Sequence, residues 1–70
     1  MMNYDARTVF SNLMQKGYEL ECDGRYSMAS SRYKNAYELA KEHEDSAADT
    51  AKECMSRCDN KLKKSNEYVK

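Results

Sequence analysis

The sequence predicts an all-α fold, a three-helix antiparallel bundle, and three observations carry that expectation. Apolar residues recur at spacings of three and four along three successive stretches, proline is absent, and Gly17 and Gly24 are the only glycines in 70 residues. Folds built on strands and tight turns need frequent glycine and proline punctuation, which this chain lacks. Seventy residues are too few for two domains and close to the minimum for one core, so 1–70 reads as a single domain of modest stability. With 40% hydrophobic and 34% charged residues, the chain is polar enough to predict a thin core built from helix faces.

The first helix is expected over about residues 4–22, where Ala6, Val9, Phe10, Leu13, Gly17 and Leu20 form one stripe. Asn3 or Asp5 supplies an N-cap oxygen, and Asp23-Gly24 ends the helix because glycine adopts the left-handed conformation without a Cβ clash. The second helix, over about 25–43, alternates large and small residues along Tyr26, Ala29, Tyr33, Ala36 and Ala40. Alanines let a neighbouring backbone approach while tyrosine rings fill the space beside it, so these two helices should form a tight hairpin. A third helix over about 46–65 carries Ala47, Ala51, Cys54, Cys58 and Leu62, flanked by Met55, with Asp45 or Ser46 as its cap. Its end is expected to fray beyond Ser65.

Charge excludes several classes of function. Twelve basic and twelve acidic residues give zero net charge, so the chain as a whole has no attraction to nucleic acid or to an anionic membrane surface. The distribution is uneven: Glu38, Glu42, Glu44, Asp45, Asp49 and Glu53 crowd the middle, and Arg57, Lys61, Lys63, Lys64 and Lys70 crowd the end. Asp59 and Glu67 interrupt the basic run, which favours a solvated face over a phosphate-binding tail. No apolar run approaches the roughly 20 residues of a membrane span, and the first residues lack the pattern of a secretory signal, so a cytoplasmic location is expected. The three cysteines, Cys22, Cys54 and Cys58, are an odd number within helical patterns and read as reduced thiols.

The hairpin from Leu13 to Ala40 resembles a single tetratricopeptide repeat, whose pattern is W-x2-L-G-x2-Y, then A-x3-F, then P. Gly17 falls on the first-helix glycine, Leu20 replaces the following aromatic, and Gly24-Arg25-Tyr26 falls on the turn. Ala29, Tyr33 and Ala36 take the small, aromatic and small positions of the second helix. Leu13 stands in place of the tryptophan, Lys16 of the leucine and Lys41 of the proline. The third helix then resembles a capping helix. The whole plan is also similar to the microtubule-interacting and trafficking type of three-helix domain. Glu21 to Ala29 echoes its first turn, and Arg57 to Lys64 its charged third helix. Both resemblances imply recognition of a partner helix or peptide.

Catalytic and metal chemistry find little support. Cys54 and Cys58 share one helix face, but Cys22 and His43 do not complete a metal-ligand spacing, so core thiols are the favoured reading. His43, the sole histidine, has no adjacent nucleophile, and the acidic cluster around it lacks the ligand alternation and glycine of a calcium loop. There is no glycine-rich phosphate loop. The chain is therefore expected to be no enzyme and to need no cofactor or metal.

Tyrosine content is the more informative feature. Tyr26 and Tyr33 belong to the expected core, while Tyr18 and Tyr37 fall beside it and offer amphipathic rings. Tyrosine and arginine are enriched in binding hot spots, which makes Tyr18, Met28, Arg32 and Tyr37 candidate partner contacts, with Met55 and Leu62 as groove-lining residues. The expected function is a small protein-interaction module, a regulator or adaptor of a larger protein. The alternatives are a self-associating structural protein, since a lone repeat buries little surface, and a weak nucleic-acid binder acting through Lys61, Lys63, Lys64 and Lys70.

Overall fold

A computed structural model of the chain describes the backbone of residues 1–68 and the side chains of residues 1–63. It is an all-α bundle of three helices: α1 (Tyr4–Cys22), α2 (Tyr26–Glu42) and α3 (Ala47–Tyr68). Each boundary has a local cause. Asn3 caps α1, its side-chain oxygen accepting the Ala6 N–H at 2.8 Å. The Asp45 carboxylate accepts the Ala47 N–H at 2.9 Å at the start of α3 and the Met2 N–H at 3.3 Å, tying the leading segment to the second corner. Those two backbone donors hold the Asp45 carboxyl below its usual range.

The second helix begins and ends one residue inside the expected 25–43. Arg25 is outside α2 because its N–H already closes α1 on the Leu20 carbonyl at 2.9 Å, and its side chain has no oxygen with which to cap α2. The third helix continues three residues past the expected end at 65. Fraying at the last two positions, Val69 and Lys70, concerns residues outside those described.

Both corners use the same hydrogen-bond motif. At the first, Gly24 N–H donates to Glu21 and Arg25 N–H to Leu20; at the second, Glu44 N–H donates to Lys41 and Asp45 N–H to Ala40. This pairing satisfies helix-terminal carbonyls and requires a left-handed residue at its apex. Gly24 meets that requirement with φ 81, and Glu44 meets it with φ 52.

Helix α2 is the central element, with long backbone approaches to α1 on one flank and α3 on the other. Its core stripe is almost wholly sealed: Ala29, Ala36 and Ala40 are 0% exposed and Tyr33 is 1% exposed. One core cluster joins Leu20, Ala29, Tyr33 and Cys58, with Met14, Tyr26, Cys54 and Met55 packed against it. The other joins Met2, Ala6 and Ala40, backed by Phe10, Leu39, Ala47 and Ala48. Between α1 and α2 the large and small residues interlock as the sequence predicts. A Cβ on Gly17 would lie 2.7 Å from Cε1 of Tyr33, so only glycine leaves room for that ring.

Candidate interaction surface

The strongest polar feature joins all three helices at Glu21, the last but one residue of α1. Its side chain follows Leu20 on the buried face, and its carboxylate accepts the Tyr33 hydroxyl of α2 at 2.9 Å. Arg57 of α3 completes a two-point pair, Nε to Oε2 at 2.7 Å and Nη2 to Oε1 at 2.8 Å. Lys61 adds a longer contact at 3.6 Å and also lies 5.0 Å from the centroid of the Tyr26 ring.

Electrostatics follow from this geometry. The Arg57 guanidinium, with help from the Tyr33 hydroxyl, holds the Glu21 carboxyl down at about 2 despite its burial. Burial and the Glu21 charge push the Tyr33 phenol upward, and the Glu21 hydrogen bonds push Arg57 upward. The Cys58 thiol is also raised, chiefly by burial, which keeps it protonated and unreactive. A buried carboxylate with all of its strong partners present is a structural clamp, because each partner is consumed in holding the helices together.

In the sequence Glu21 looks like one more helical acid. A signal was there: positions 17, 20 and 21 continue the buried stripe of α1, and a carboxylate on such a stripe needs a cation, which the run beginning at Arg57 supplies.

The candidate contact residues are distributed over several faces. Met28 and Arg32 are exposed one turn apart on one flank of α2. Tyr37 lies about 180° around that helix from Met28, on the flank where Ser30 donates a hydrogen bond to Asp59 of α3. Tyr37 is half-buried, with the Lys41 ammonium 5.7 Å from its ring centroid. Met55 is packed against the core cluster, and Leu62 is half-buried on α3. Tyr18 projects from α1 and is 61% exposed. Its phenol is raised in pKa chiefly by the neighbouring Cys22 thiol. Of the proposed nucleic-acid contacts, Lys61 is engaged by Glu21 and Tyr26, Lys63 is exposed, and the side chains of Lys64 and Lys70 lie outside those described.

A surface that includes Tyr18 runs along α1. Tyr4, Arg7, Ser11 and Tyr18 follow at helical spacings and share one flank, whose inner edge is the half-buried Met14 packed against the core. Tyr4, at the other end from Tyr18, is 83% exposed. A shallow depression on this flank is lined by Tyr4, Arg7, Thr8, Ser11 and Asn12. A second depression, lined by Lys52, Glu53, Ser56, Arg57, Asn60 and Lys61, occupies the outward face of α3 and is bordered by charged groups. Val9, also exposed, lies about 180° around α1 from Tyr18 and belongs to a different face.

Among the described residues no group of three His, Cys, Asp or Glu side chains is placed to hold a metal ion. No described helix is long and apolar enough to cross a membrane. Cys22 is exposed, Cys54 half-buried and Cys58 buried, all three as free thiols. Comparison of the chain with protein-family models, curated proteins and solved structures found no match.

Proposed function

We propose that this protein is a small helical module that binds another protein through the exposed flank of α1. The observation that carries this reading is the pair of tyrosines, Tyr4 and Tyr18, held 83% and 61% exposed at either end of one helical flank. The apolar surface of an exposed tyrosine ring is unfavourably hydrated, and covering it removes that surface from water while its hydroxyl can take a hydrogen bond from the partner. The rigid backing of α1 by α2 reduces the conformational entropy lost on docking, since the helix is already formed. The resemblance of the hairpin to a tetratricopeptide unit agrees with this class of function, as does the neutral overall charge. A regulatory or adaptor role fits a module that acts by binding.

Replacing Tyr18 with the photoreactive benzoylphenylalanine, and in a parallel variant the exposed Lys34 of α2, tests the reading in the protein's native cellular setting. Adducts are expected from position 18 and not from position 34. Equal yields from both, or none from position 18 or from the same replacement at Tyr4, would overturn it.

A further inference from the structure

We infer that the three-helix junction at the Glu44 end is a docking socket for an extended, methionine-bearing peptide of a partner protein, and that the chain's own Met2 sits in it as a removable plug. Met2 precedes the first helix, yet it is only 6% exposed. It packs with Ala6 of α1 and Ala40 of α2, and Phe10, Leu39, Ala47 and Ala48 stand around them. All three helices therefore meet here over side chains that mostly end at Cβ. The room between them is filled by one flexible, unbranched side chain from outside the bundle.

The walls of the socket are held without the plug. Asn3 completes the first turn of α1, its side-chain oxygen accepting the Ala6 N–H at 2.8 Å and its carbonyl the Arg7 N–H at 2.9 Å. The corner between α2 and α3 is closed by the Glu44 and Asp45 N–H groups on the Lys41 and Ala40 carbonyls. The first turn of α3 is fixed by the Ala47 N–H on Asp45 Oδ1 at 2.9 Å. None of these bonds involves residues 1 or 2, so detaching that strap breaks only its own contacts. Its tethers are the Met2 N–H on Asp45 Oδ2 at 3.3 Å, long for such a bond, and the Met1 nitrogen on the His43 carbonyl.

The same contacts define what fits. The strap lays successive main-chain nitrogens on the His43 carbonyl and the Asp45 carboxylate, and the side chain of its second residue enters the socket. A partner segment that takes its place offers Asp45 the same N–H and the alanine walls the same thioether chain. While Met2 is seated, the partner's apparent affinity falls by the fraction of chains whose socket is open, so the plug sets a threshold for binding.

An NMR titration of the full chain with the probe peptide acetyl-Met-Met-Asn-amide tests this. In Met2→Asn, whose polar side chain the apolar socket rejects, saturable shifts are expected at the methyl groups of Ala6, Ala40, Ala47 and Ala48. Wild type should bind at least about tenfold more weakly because its own Met2 competes, and a peptide with aspartate as its second residue should bind neither chain. No binding to the variant, equal binding to both chains, or shifts elsewhere would overturn the inference. Sedimentation equilibrium adds a further outcome: a wild-type dimer that Met2→Asn dissociates would give the socket to the strap of a second copy and overturn the plug. Should Met2→Asn fail to fold, hydrogen peroxide reads the plug in wild type, transferring one oxygen to the thioether and leaving water. Met2 sulfoxide is expected while circular dichroism still shows the folded chain, and a Met2 that oxidises only in step with unfolding by urea overturns its removal.

Discussion

The two ends of the bundle are made from the same three helices but held by different means. At the Gly24 end, a fully buried tyrosine ring fills the core and a buried carboxylate clamps three helices. At the Glu44 end, the buried residues are Met2, Ala6 and Ala40, no large ring is sealed inside, and the leading segment is strapped on through Asp45. The corners differ likewise: one apex is glycine and the other is glutamate in a left-handed conformation. Specificity therefore concentrates at the first end, where Gly17, Tyr33 and Glu21 accept few alternatives. The second end relies on close backbone approach over alanine, which many sequences could provide.

The largest expected loss comes from emptying the first end. Tyr33→Ala should cost about 3–5 kcal/mol, enough to unfold much of so small a domain, because it opens a cavity and leaves Glu21 without its hydroxyl partner. Urea denaturation followed by circular dichroism reads this. A cost below about 1 kcal/mol would mean that the ring does not organise the core.

The clamp comes next, and pH exposes it. Glu21 has a carboxyl lowered in the folded state from 4.5 to about 2. Its stabilisation is therefore complete above the unfolded value and is lost as pH falls from about 4.5 through about 2. The size is on the order of 2 kcal/mol, after allowing for Arg57 being half exposed to solvent. Glu21→Gln should be less stable than wild type at neutral pH, with the gap closing towards pH 2. A gap that stays constant with pH would show that the ion pair is not the source.

At the opposite end, Met2→Ala should cost about 2 kcal/mol, the low end for a buried methionine, since Met2 is 6% exposed in a cluster whose other buried members are alanines. A loss equal to that of Tyr33→Ala would erase the distinction between the two ends. The smallest effects are at the corners and have opposite signs. Gly24→Ala should destabilise by about 1 kcal/mol, and Glu44→Gly should stabilise by about 0.5–1 kcal/mol, because each apex has positive φ. Thermal melts of the pair in one buffer give the comparison, and a loss on Glu44→Gly would mean that the glutamate side chain makes a compensating contact.

Much of this architecture is legible in the sequence. The spacing of Ala29, Tyr33, Ala36 and Ala40 specifies both the helix and the face it buries, and Gly24 marks its corner through a backbone need that local chemistry meets. The second corner is less legible, because Glu44 carries no preference for positive φ and takes it only where the Ala40 and Lys41 carbonyls demand partners. The candidate contact residues are legible as types and not as a surface. Tyr18, Met28 and Tyr37 all fall beside buried stripes, but the rotation of each helix against its neighbours sends them to different sides.

By itself, the sequence determined the helices, their order and the buried stripes, because those properties depend on residues within a few positions of one another. Only the tertiary structure decided that Glu21 meets Tyr33 and Arg57, 12 and 36 residues away, and that Tyr4 and Tyr18 stand uncovered on one flank. The physical reason is that a buried charge and an exposed ring are defined by what lies opposite them, and that depends on how α1 and α3 dock on α2.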